Sequence, residues 1–253
     1  YLGKVTLPDT LAEIKRSAFE GCSGLKSITI PKRVKTIAET AFDRCRDLKS
    51  IKVDKQNSKY SSKDGVLMNK KQTKLIRCPE GKEGYYIVPE SVKKMGARAI
   101  RGCVRLRGIE IRNHVTDINK ETYSYQVEGD PRGYYLTNLI FERGNKNVKA
   151  AKRSGAKYIK TIRIESLKVQ SQALRIKWSD FSYAEGYEIW YSVNADMKKA
   201  KKIQVSAKKT SKKLKKLTPG RKYYVQVRPY LTDAGTGKKV YSAWSQKKSI
   251  LFQ

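Results

Sequence analysis

Apolar residues recur along the first fifty positions at a fixed interval of 23 residues. Leu25, Ile28 and Ile30 form the pattern L-x-x-I-x-I, which predicts a strand whose three apolar side chains face a core. The same pattern returns one period later at Leu48 and Ile51. A period of this length indicates a solenoid, in which neighbouring repeats bury each other's apolar faces and the strands stack about 4.8 Å apart in a parallel sheet.

Other residues repeat with the same spacing and predict how each strand ends. Proline follows the strand at Pro8 and Pro31, where its missing N–H stops the hydrogen-bond ladder. An Ala-Phe pair comes later in both copies, and we expect it to close the opposite side of the core on a short helical turn. Two less perfect copies begin at Ile87 and Ile109, so four copies are recognisable.

Two segments depart from the period within residues 1–160. Residues 54–86 are an insertion with two apolar runs, at 65–68 and 74–77, which predict a β-hairpin projecting from the stack. Residues 138–160 contain a short strand, a basic helix at 145–154 and a final strand. We interpret this segment as the C-terminal cap that covers the open end of the solenoid.

The repeats resemble the BspA-type leucine-rich repeats of bacterial surface proteins, with the pattern I-P-x-x-V-x-x-I-x-x-x-A-F-x-x-C-x-x-L. The insertion is similar to that family as well, in the segment 60–67. The resemblance implies an α/β leucine-rich-repeat solenoid, a right-handed superhelix with a parallel sheet, over residues 1–160. In the second copy the match rests on Ile30, Pro31, Val34, Ile37, Ala41, Phe42, Cys45 and Leu48.

Residues 165–253 lack the 23-residue period and form a second predicted domain. Short alternating runs between turn residues predict about seven antiparallel strands in an all-β, immunoglobulin-like sandwich. Trp178, Tyr187 and Tyr223 resemble those of fibronectin type III domains, where Tyr223 would be the tyrosine corner. Proteins that pair these two modules are typically secreted or attached to the bacterial surface, and adhesion to host components is the role most often proposed for them.

Basic residues dominate the charge of the chain and indicate acidic partners. Lys and Arg number 56 against 23 Asp and Glu, a net charge of +33, and after Met197 17 basic residues face only Asp233. A surface this positive attracts polyanions. The chain starts at Tyr1, so we expect a processed or truncated product whose signal peptide is not in this chain. No run of 18 apolar residues is present, and no membrane span is predicted.

Three surfaces are candidate ligand-binding sites, each with a simpler structural alternative. The lysine cluster at 208–216 could hold sulfated glycan, teichoic acid or nucleic-acid phosphate, or be a solvated loop that blocks edge pairing. Trp190 near Tyr224 could form a binding patch or a stabilising cross-strand pair. The third surface is the exposed strand face of the solenoid, from Lys4 to Glu110. The candidate residues are Lys26, Lys49, Lys52, Arg107, Trp190, Tyr224, Arg228, Lys208, Lys209, Lys212, Lys213, Lys215 and Lys216.

Residues suited to catalysis or metal binding are scarce. His114 is the only histidine, and the chain contains no C-x-x-C, G-x-S-x-G or Gly-rich phosphate motif. We therefore predict no catalytic, metal or cofactor site. Cys22, Cys45 and Cys103 share one position of the repeat and predict a ladder of buried thiols, with a disulfide as the alternative. Cys78 is expected to lie outside this ladder.

These observations together favour binding over catalysis. We predict a non-enzymatic, secreted or cell-surface bacterial protein, an adhesin whose partner is a host matrix protein, a sulfated glycan or an anionic cell-wall polymer. One alternative is a non-catalytic accessory or spacer fragment of a larger secreted protein. Another is a non-specific nucleic-acid binder, which is less favoured because the lysine cluster has no interleaved aromatic rings for base stacking.

Overall fold

The computed structural model describes residues 3–123, 138–141, 145–148, 158–160, 162–181, 184–232 and 238–253. The chain divides into two compact units, Tyr1–Ile159 and Lys160–Gln253. Unit 1 is a β-solenoid of about five turns. Its strands are β1 (Glu13–Ile14), β2 (Ser27–Ile30), β3 (Thr36–Ile37), β4 (Ser50–Val53), β5 (Tyr60–Lys63), β6 (Val66–Asn69), β7 (Lys74–Arg77), β8 (Gly84–Ile87), β9 (Lys94–Met95), β10 (Leu106–Ile111), β11 (Asp117–Ile118), β12 (Asn138–Phe141) and β13 (Tyr158–Lys160).

The sequence period of 23 residues is also the register of three parallel strand pairs, β1 with β3, β2 with β4 and β9 with β11. Leu25, Ile28 and Ile30 are buried and the polar residues between them are exposed, as the L-x-x-I-x-I pattern predicts. Strands one repeat apart therefore carry the same side-chain pattern to the same faces. The paired residues are Glu13 and Thr36 in β1 and β3, Ser27 and Ser50 in β2 and β4, and Lys94 and Asp117 in β9 and β11.

The Ala-Phe pairs lie on turns, where the sequence predicted short helical turns. The amide of Phe19 donates to the carbonyl of Ala41 at 2.9 Å, so the turns of successive repeats are joined to each other. An amide used in this way is not available for the i to i−4 bond of an α-helix. The rings of Phe19 and Phe42 stack with centroids 5.6 Å apart. The α/β class expected for this unit is thus corrected to a solenoid of strands and turns.

Most of the predicted cap at 138–160 lies outside the described residues. β12 pairs in parallel with β10, and β13 is adjacent to β12 in the same sheet. These two strands therefore extend the sheet that contains β8 and β10. Of the predicted helix at 145–154, the structure describes 145–148, where Val148 is helical. A 3₁₀ helix at Lys120–Tyr123 is the other helical element among the described residues.

The insertion replaces one repeat inside the stack, whereas the sequence predicted a projecting hairpin. β5, β6 and β7 pair antiparallel, and β7 then pairs in parallel with β9. β6 is buried on both faces. Leu67 packs into the core of the first two repeats, and Val66 and Met68 pack into the core of the later ones. An apolar run without alternation is the expected signature of a strand in this position.

Side chains of β5 close the strand edges that the insertion leaves open. Both parallel ladders stop at the insertion, since no strand in the described part of the chain pairs with β3 or β4 on their far sides. The Tyr60 hydroxyl accepts a hydrogen bond from the Ile37 amide at 3.1 Å, and the Ser62 hydroxyl accepts one from the Val53 amide at 3.1 Å. These contacts satisfy backbone groups that an edge would otherwise expose.

A buried asparagine fixes the start of the insertion to the preceding repeat. Nδ2 of Asn57 donates to the carbonyls of Pro31 and Val34 at 2.8 and 2.9 Å, and Oδ1 accepts from the amides of Lys59 and Tyr60 at 2.8 Å. The side chain is fully buried, so four polar groups depend on it. Further along the solenoid, Asn145 makes similar bonds with Ile111, Arg112 and Asn147.

A buried ion cluster joins the insertion to the repeats before and after it. Nη2 of Arg77 lies 2.7 Å from Oε1 of Glu80 and 3.0 Å from Oδ1 of Asp43, and Asp43 also pairs with Arg98 at 3.0 Å. Burial raises the pKa of Glu80, although Arg77 opposes that shift. Gly102 has positive φ, and a Cβ there would lie 2.4 Å from Cδ of Glu80, so a glycine is required beside the cluster.

Unit 2 contains two antiparallel sheets. One sheet has the order β14-β15-β18; the other has the order β17-β16-β19-β20, with β21 also paired to β19. The strands are β14 (Ile164–Gln170), β15 (Ala173–Trp178), β16 (Gly186–Ser192), β17 (Lys201–Ser206), β18 (Ser211–Leu214), β19 (Arg221–Thr232), β20 (Lys239–Tyr241) and β21 (Lys248–Phe252).

Aromatic residues pack between the two sheets of unit 2. Trp178 of β15 meets Tyr187 of β16 edge to face, with ring centroids 5.5 Å apart, and both are buried. Burial raises the pKa of Tyr187 to about 12. The hydroxyl of Tyr223 accepts a hydrogen bond from the Thr218 amide at 3.0 Å. This bond, from a buried tyrosine to backbone a few residues upstream, is that of a tyrosine corner.

Replacement of Asn57 by alanine tests the junction between the second repeat and the insertion. Asn57→Ala removes four hydrogen bonds to backbone groups, including those that the buried Asn57 amide donates to the Pro31 and Val34 carbonyls, and we expect the free energy of unfolding to fall by about 3 kcal/mol. Urea unfolding followed by far-UV circular dichroism measures the loss. The control is Asn119→Ala, which removes one exposed hydrogen bond and should cost about 1 kcal/mol or less. Equal losses would contradict the role given to Asn57.

Replacement of Arg77 by methionine tests the buried ion cluster. Arg77→Met leaves two buried carboxylates without their shared cation, so we expect a loss of about 3 kcal/mol in the free energy of unfolding. Arg105→Met is the matched control, because its partners Asp47 and Glu83 are exposed. The control should lose at most about 1 kcal/mol. If Arg77→Met were as stable as the wild type in the same urea titration, the cluster would not hold the insertion.

Candidate binding surfaces

Three basic side chains form a single row across the sheet β14-β15-β18. Arg175 in β15 stands directly opposite Lys168 in β14 and directly opposite Lys213 in β18. All three residues are exposed. Residues in directly opposite positions have Cβ atoms about 5 Å apart. We call Lys168, Arg175 and Lys213 the basic row.

No acidic side chain among the described residues pairs with the basic row within 4 Å, while the neighbouring row is partly neutralised. In that next row Lys177 lies between Ser166 and Ser211. Nζ of Lys177 is 3.8 Å from Glu165, which also pairs with Arg163 at 3.7 Å. The charge on this face is therefore concentrated in the basic row.

The structure separates the members of the predicted lysine cluster at 208–216. Lys208 and Lys209 are exposed between β17 and β18, and Lys215 and Lys216 are exposed after β18. Within β18 the side chains alternate. Lys212, opposite Ile176, is half-buried, and Lys213 joins the exposed row. Lys168 and Arg175 were not among the residues predicted from the sequence; the alternation of residues 174–178 is the sequence signal that places Arg175 on the outward face.

The exposed face of the other sheet is covered by rings and cations that contact each other. The rings of Trp190 and Trp244 have centroids 4.8 Å apart. Cζ of Arg228 lies 4.3 Å from the centroid of Trp244 and 4.0 Å from that of Tyr241. Nζ of Lys202 lies 4.3 Å from the centroid of Trp190. Cations of the chain itself therefore already occupy positions over these rings.

The predicted partner of Trp190 was wrong, and Arg228 is not a free cation. The register places Trp190 opposite Gln226, and its ring partner is Trp244, not Tyr224. The run Y-S-A-W-S at 241–245 was the only sequence signal for this contact. Nη2 of Arg228 pairs with buried Glu188 at 2.6 Å, which neutralises its charge. These contacts indicate that Trp190 and Arg228 stabilise the sheet. Tyr224 has the ammonium groups of Lys222 and Lys247 5.8 Å from its ring centroid.

The candidate residues of unit 1 are exposed, but acidic residues interrupt their positive charge. Lys26, Lys49, Lys52 and Arg107 are all exposed. The backbone amide of Lys49 donates to the carbonyl of Lys26, so these two lysines occupy equivalent positions in adjacent repeats. Nζ of Lys49 pairs with Glu83 at 2.9 Å, and this bond lowers the pKa of the Glu83 carboxyl.

Glu110 is fully buried, and its predicted place on the exposed strand face was wrong. Its Oε2 accepts a hydrogen bond from the hydroxyl of Tyr85 at 2.8 Å, and its Oε1 accepts one from Nε of Arg112 at 2.8 Å. Tyr85 and Arg112 lie at positions that the L-x-x-I-x-I pattern leaves unspecified, so the pattern does not reveal these bonds. Glu110 therefore offers no charge to a ligand.

The four cysteines are free thiols; Cys45, Cys78 and Cys103 are buried, whereas Cys22, predicted to be buried, is half-buried. Sγ of Cys45 donates to the carbonyl of Phe19 at 2.9 Å, and burial raises its pKa to about 12. Sγ of Cys103 donates to the backbone carbonyl of Cys78 at 3.5 Å, so Cys78 lies beside the ladder without sharing its position in the repeat. A thiol with a raised pKa, such as that of Cys45, is a poor nucleophile at neutral pH. The single histidine, His114, is half-buried, and burial lowers its pKa.

The described residues hold neither a candidate metal-binding cluster nor a helix able to span a membrane. No three His, Cys, Asp or Glu side chains within those ranges are grouped as a metal site would require. No helix in the described part of the chain has the length and apolar character needed to cross a membrane.

Replacement of Arg228 tests whether the aromatic face is structural. Arg228→Met removes the cation that packs against Tyr241 and Trp244, and it leaves the buried Glu188 without its ion-pair partner. We therefore expect the free energy of unfolding of unit 2 to fall by about 3 kcal/mol. Tryptophan fluorescence follows unit 2 alone, because all three tryptophans lie in it. Lys202→Met removes an exposed cation and should cost at most about 1 kcal/mol. Comparable losses in the two variants would contradict this role of Arg228.

The chain is similar to several solved leucine-rich repeat structures. A leucine-rich repeat protein from Eubacterium ventriosum is 23% identical over 55% of this chain and 41% of that chain, with a TM-score of 0.39. A leucine rich cell surface protein from Faecalibacterium prausnitzii is 31% identical over 45% and 30%, with a TM-score of 0.40. The pneumococcal vaccine antigen PcpA is 22% identical over 54% and 40%, with a TM-score of 0.43. The chain thus spans less than half the length of each. No curated protein matches it.

A family model adds to the evidence from period and register. The BspA type leucine rich repeat region matches residues 1–128 and 85–187 in six copies, two more than the sequence pattern revealed. The match covers more than half of the chain and ends at residue 187, beyond the last parallel strand. The repeat period, the parallel register of β1 to β4 and this match agree. The chain belongs to the BspA-type leucine-rich repeat family.

Proposed function

We propose that this chain is a non-catalytic binding protein of the bacterial exterior, an adhesin that holds acidic ligands through basic sheet surfaces. The observation that carries the proposal is the placement of charge in unit 2. Three strands hold Lys168, Arg175 and Lys213 side by side with no acidic partner among the residues that the structure describes, in a chain of net charge +33. Cations held next to each other on a sheet attract a ligand that carries several negative charges.

We propose further that unit 2 is a fibronectin type III domain. Its two antiparallel sheets, with the buried Trp178 on the second strand of the first sheet, support this assignment. The hydrogen bond from the Thr218 amide to the Tyr223 hydroxyl supports it as well, because a tyrosine corner is a hallmark of sandwiches of this kind. Unit 1 then supplies a repeat array, and unit 2 supplies a compact module with its own charged face.

Membership of this family supports a location outside the cell, and the charge fits it. BspA-type repeats are repeats of bacterial surface proteins. Acidic polymers are abundant at the cell surface, as host glycans and as cell-wall polymers. The contacts would be mainly Coulombic, made by several lysines and arginines at once, and would weaken as salt screens them. Nucleic acid fits less well, because the rings of Trp190 and Trp244 contact each other and Arg228 instead of standing free for bases.

Binding to a panel of immobilised ligands tests this function. The panel contains heparin, teichoic acid, fibronectin, fibrinogen and DNA, each at low and at near-physiological salt. We expect binding to one anionic glycan or matrix ligand to persist at the higher salt. The control is an unrelated protein of similar positive charge, which should lose all binding as salt rises.

Two results would contradict the proposal. If the chain binds every polyanion equally and is released together with the control protein, net charge alone is acting. If it binds nothing at low salt, a spacer or accessory role is the better account. Preference for DNA over heparin at equal charge would favour the nucleic-acid alternative.

A further inference from the structure

We propose that the exposed face of the sheet β14-β15-β18 binds one chain of a sulfated polysaccharide along the basic row. This inference rests on the proposed function, which names acidic ligands for the protein without assigning them to a site. It differs from the sequence-based hypothesis, because two of the three row residues, Lys168 and Arg175, lie outside the lysine cluster at 208–216.

Strand alternation holds the basic row on the solvent side of a firm sheet. Leu174, Ile176 and Trp178 alternate with Arg175 and Lys177 along β15, and all three are buried. The backbone of β15 is paired on both sides, with β14 and with β18. Two inter-strand steps separate Lys168 from Lys213, about 10 Å along the row. The backbone positions of the three residues are therefore set before any ligand binds.

The row places like charges where a sheet ordinarily avoids them. Like charges in directly opposite positions destabilise a sheet, and here two such pairs share Arg175. Glu165, the acidic residue of β14, pairs with Lys177 and Arg163 and lies within 4 Å of no row member. An anion bound over the row relieves this repulsion, so ligand binding and sheet stability are coupled.

The chemistry of the face fits a sulfated polysaccharide. Sulfate groups accept charge-assisted hydrogen bonds from lysine and, in two-pronged geometry, from the Arg175 guanidinium. Ser166 and Ser211 flank Lys177 in the next row and can bond to sugar hydroxyls. Every strand residue exposed on this face is polar or charged and none is aromatic, so the face has no platform on which bases could stack.

Two triple variants of the full chain test the site with a heparin-derived oligosaccharide. Each variant removes three positive charges from unit 2 and leaves neutral side chains of similar length. The control positions are exposed and lie off the row. The row variant is Lys168→Gln, Arg175→Gln and Lys213→Gln; the control variant is Lys201→Gln, Lys208→Gln and Lys209→Gln.

Titration calorimetry over a salt series measures the affinity of each variant. We expect the row variant to bind at least about 10-fold more weakly, and the slope of log K against log salt to fall by about 2, since each lost ionic contact removes about 0.7. The control variant should remain within about 3-fold of the wild type. Equal losses in the two variants would overturn the site.

A stability measurement gives a second readout and checks folding. Because the row variant removes opposed like charges, its midpoint of unfolding, followed by tryptophan fluorescence, should be at least as high as that of the wild type. The oligosaccharide should raise the midpoint of the wild type and of the control variant but leave the row variant unchanged. An equal rise in all three proteins would overturn the site.

The outcomes separate this inference from the proposed function. If the wild type binds no ligand of the panel, the proposed function and the site both fail. If the wild type binds heparin and both variants bind it equally well, only the site fails. If inorganic polyphosphate or DNA of equal charge displaces the oligosaccharide at lower concentration, the sulfated-polysaccharide assignment fails.

Discussion

Backbone hydrogen bonds between successive repeats determine where the other groups of unit 1 lie. The first two repeats are held together in a register of 23 residues, which stacks equivalent side chains on one another. The insertion interrupts both parallel ladders, and side chains then bond to backbone groups that a neighbouring strand would otherwise satisfy. Tyr60 and Ser62 bond to the open strand edges, and the buried Arg77 holds carboxylates from two neighbouring segments. The solenoid continues past the insertion because these polar groups are satisfied.

Strand register also separates structural cations from cations available to a ligand in unit 2. Arg228 pairs with buried Glu188 and packs against aromatic rings, so its charge and its faces are already used. Arg175 stands between two other cations on an exposed face and makes no such contacts among the described residues. A net charge of +33 gives attraction without selectivity, whereas a row of fixed geometry can select a ligand by the spacing of its anionic groups.

The sequence revealed the features that depend on neighbours close in the chain. The 23-residue period, the buried Leu25, Ile28 and Ile30, and the tyrosine corner at Tyr223 follow from local patterns. Features that join distant segments were missed. β6 is buried on both faces only because cores lie on either side of it, and Glu110 is buried by bonds to Tyr85 and Arg112. The basic row has no local signal, because its three members come from three strands.

Lysine footprinting of the full chain shows directly whether the basic row is where the ligand binds. The protein is acetylated with and without the heparin-derived oligosaccharide, and the modified lysines are quantified by mass spectrometry. We expect the ligand to protect Lys168 and Lys213 from acetylation. The exposed Lys201, Lys208 and Lys209 should react to the same extent with and without the ligand. Uniform protection of all these lysines, or protection confined to Lys208 and Lys209, would contradict it.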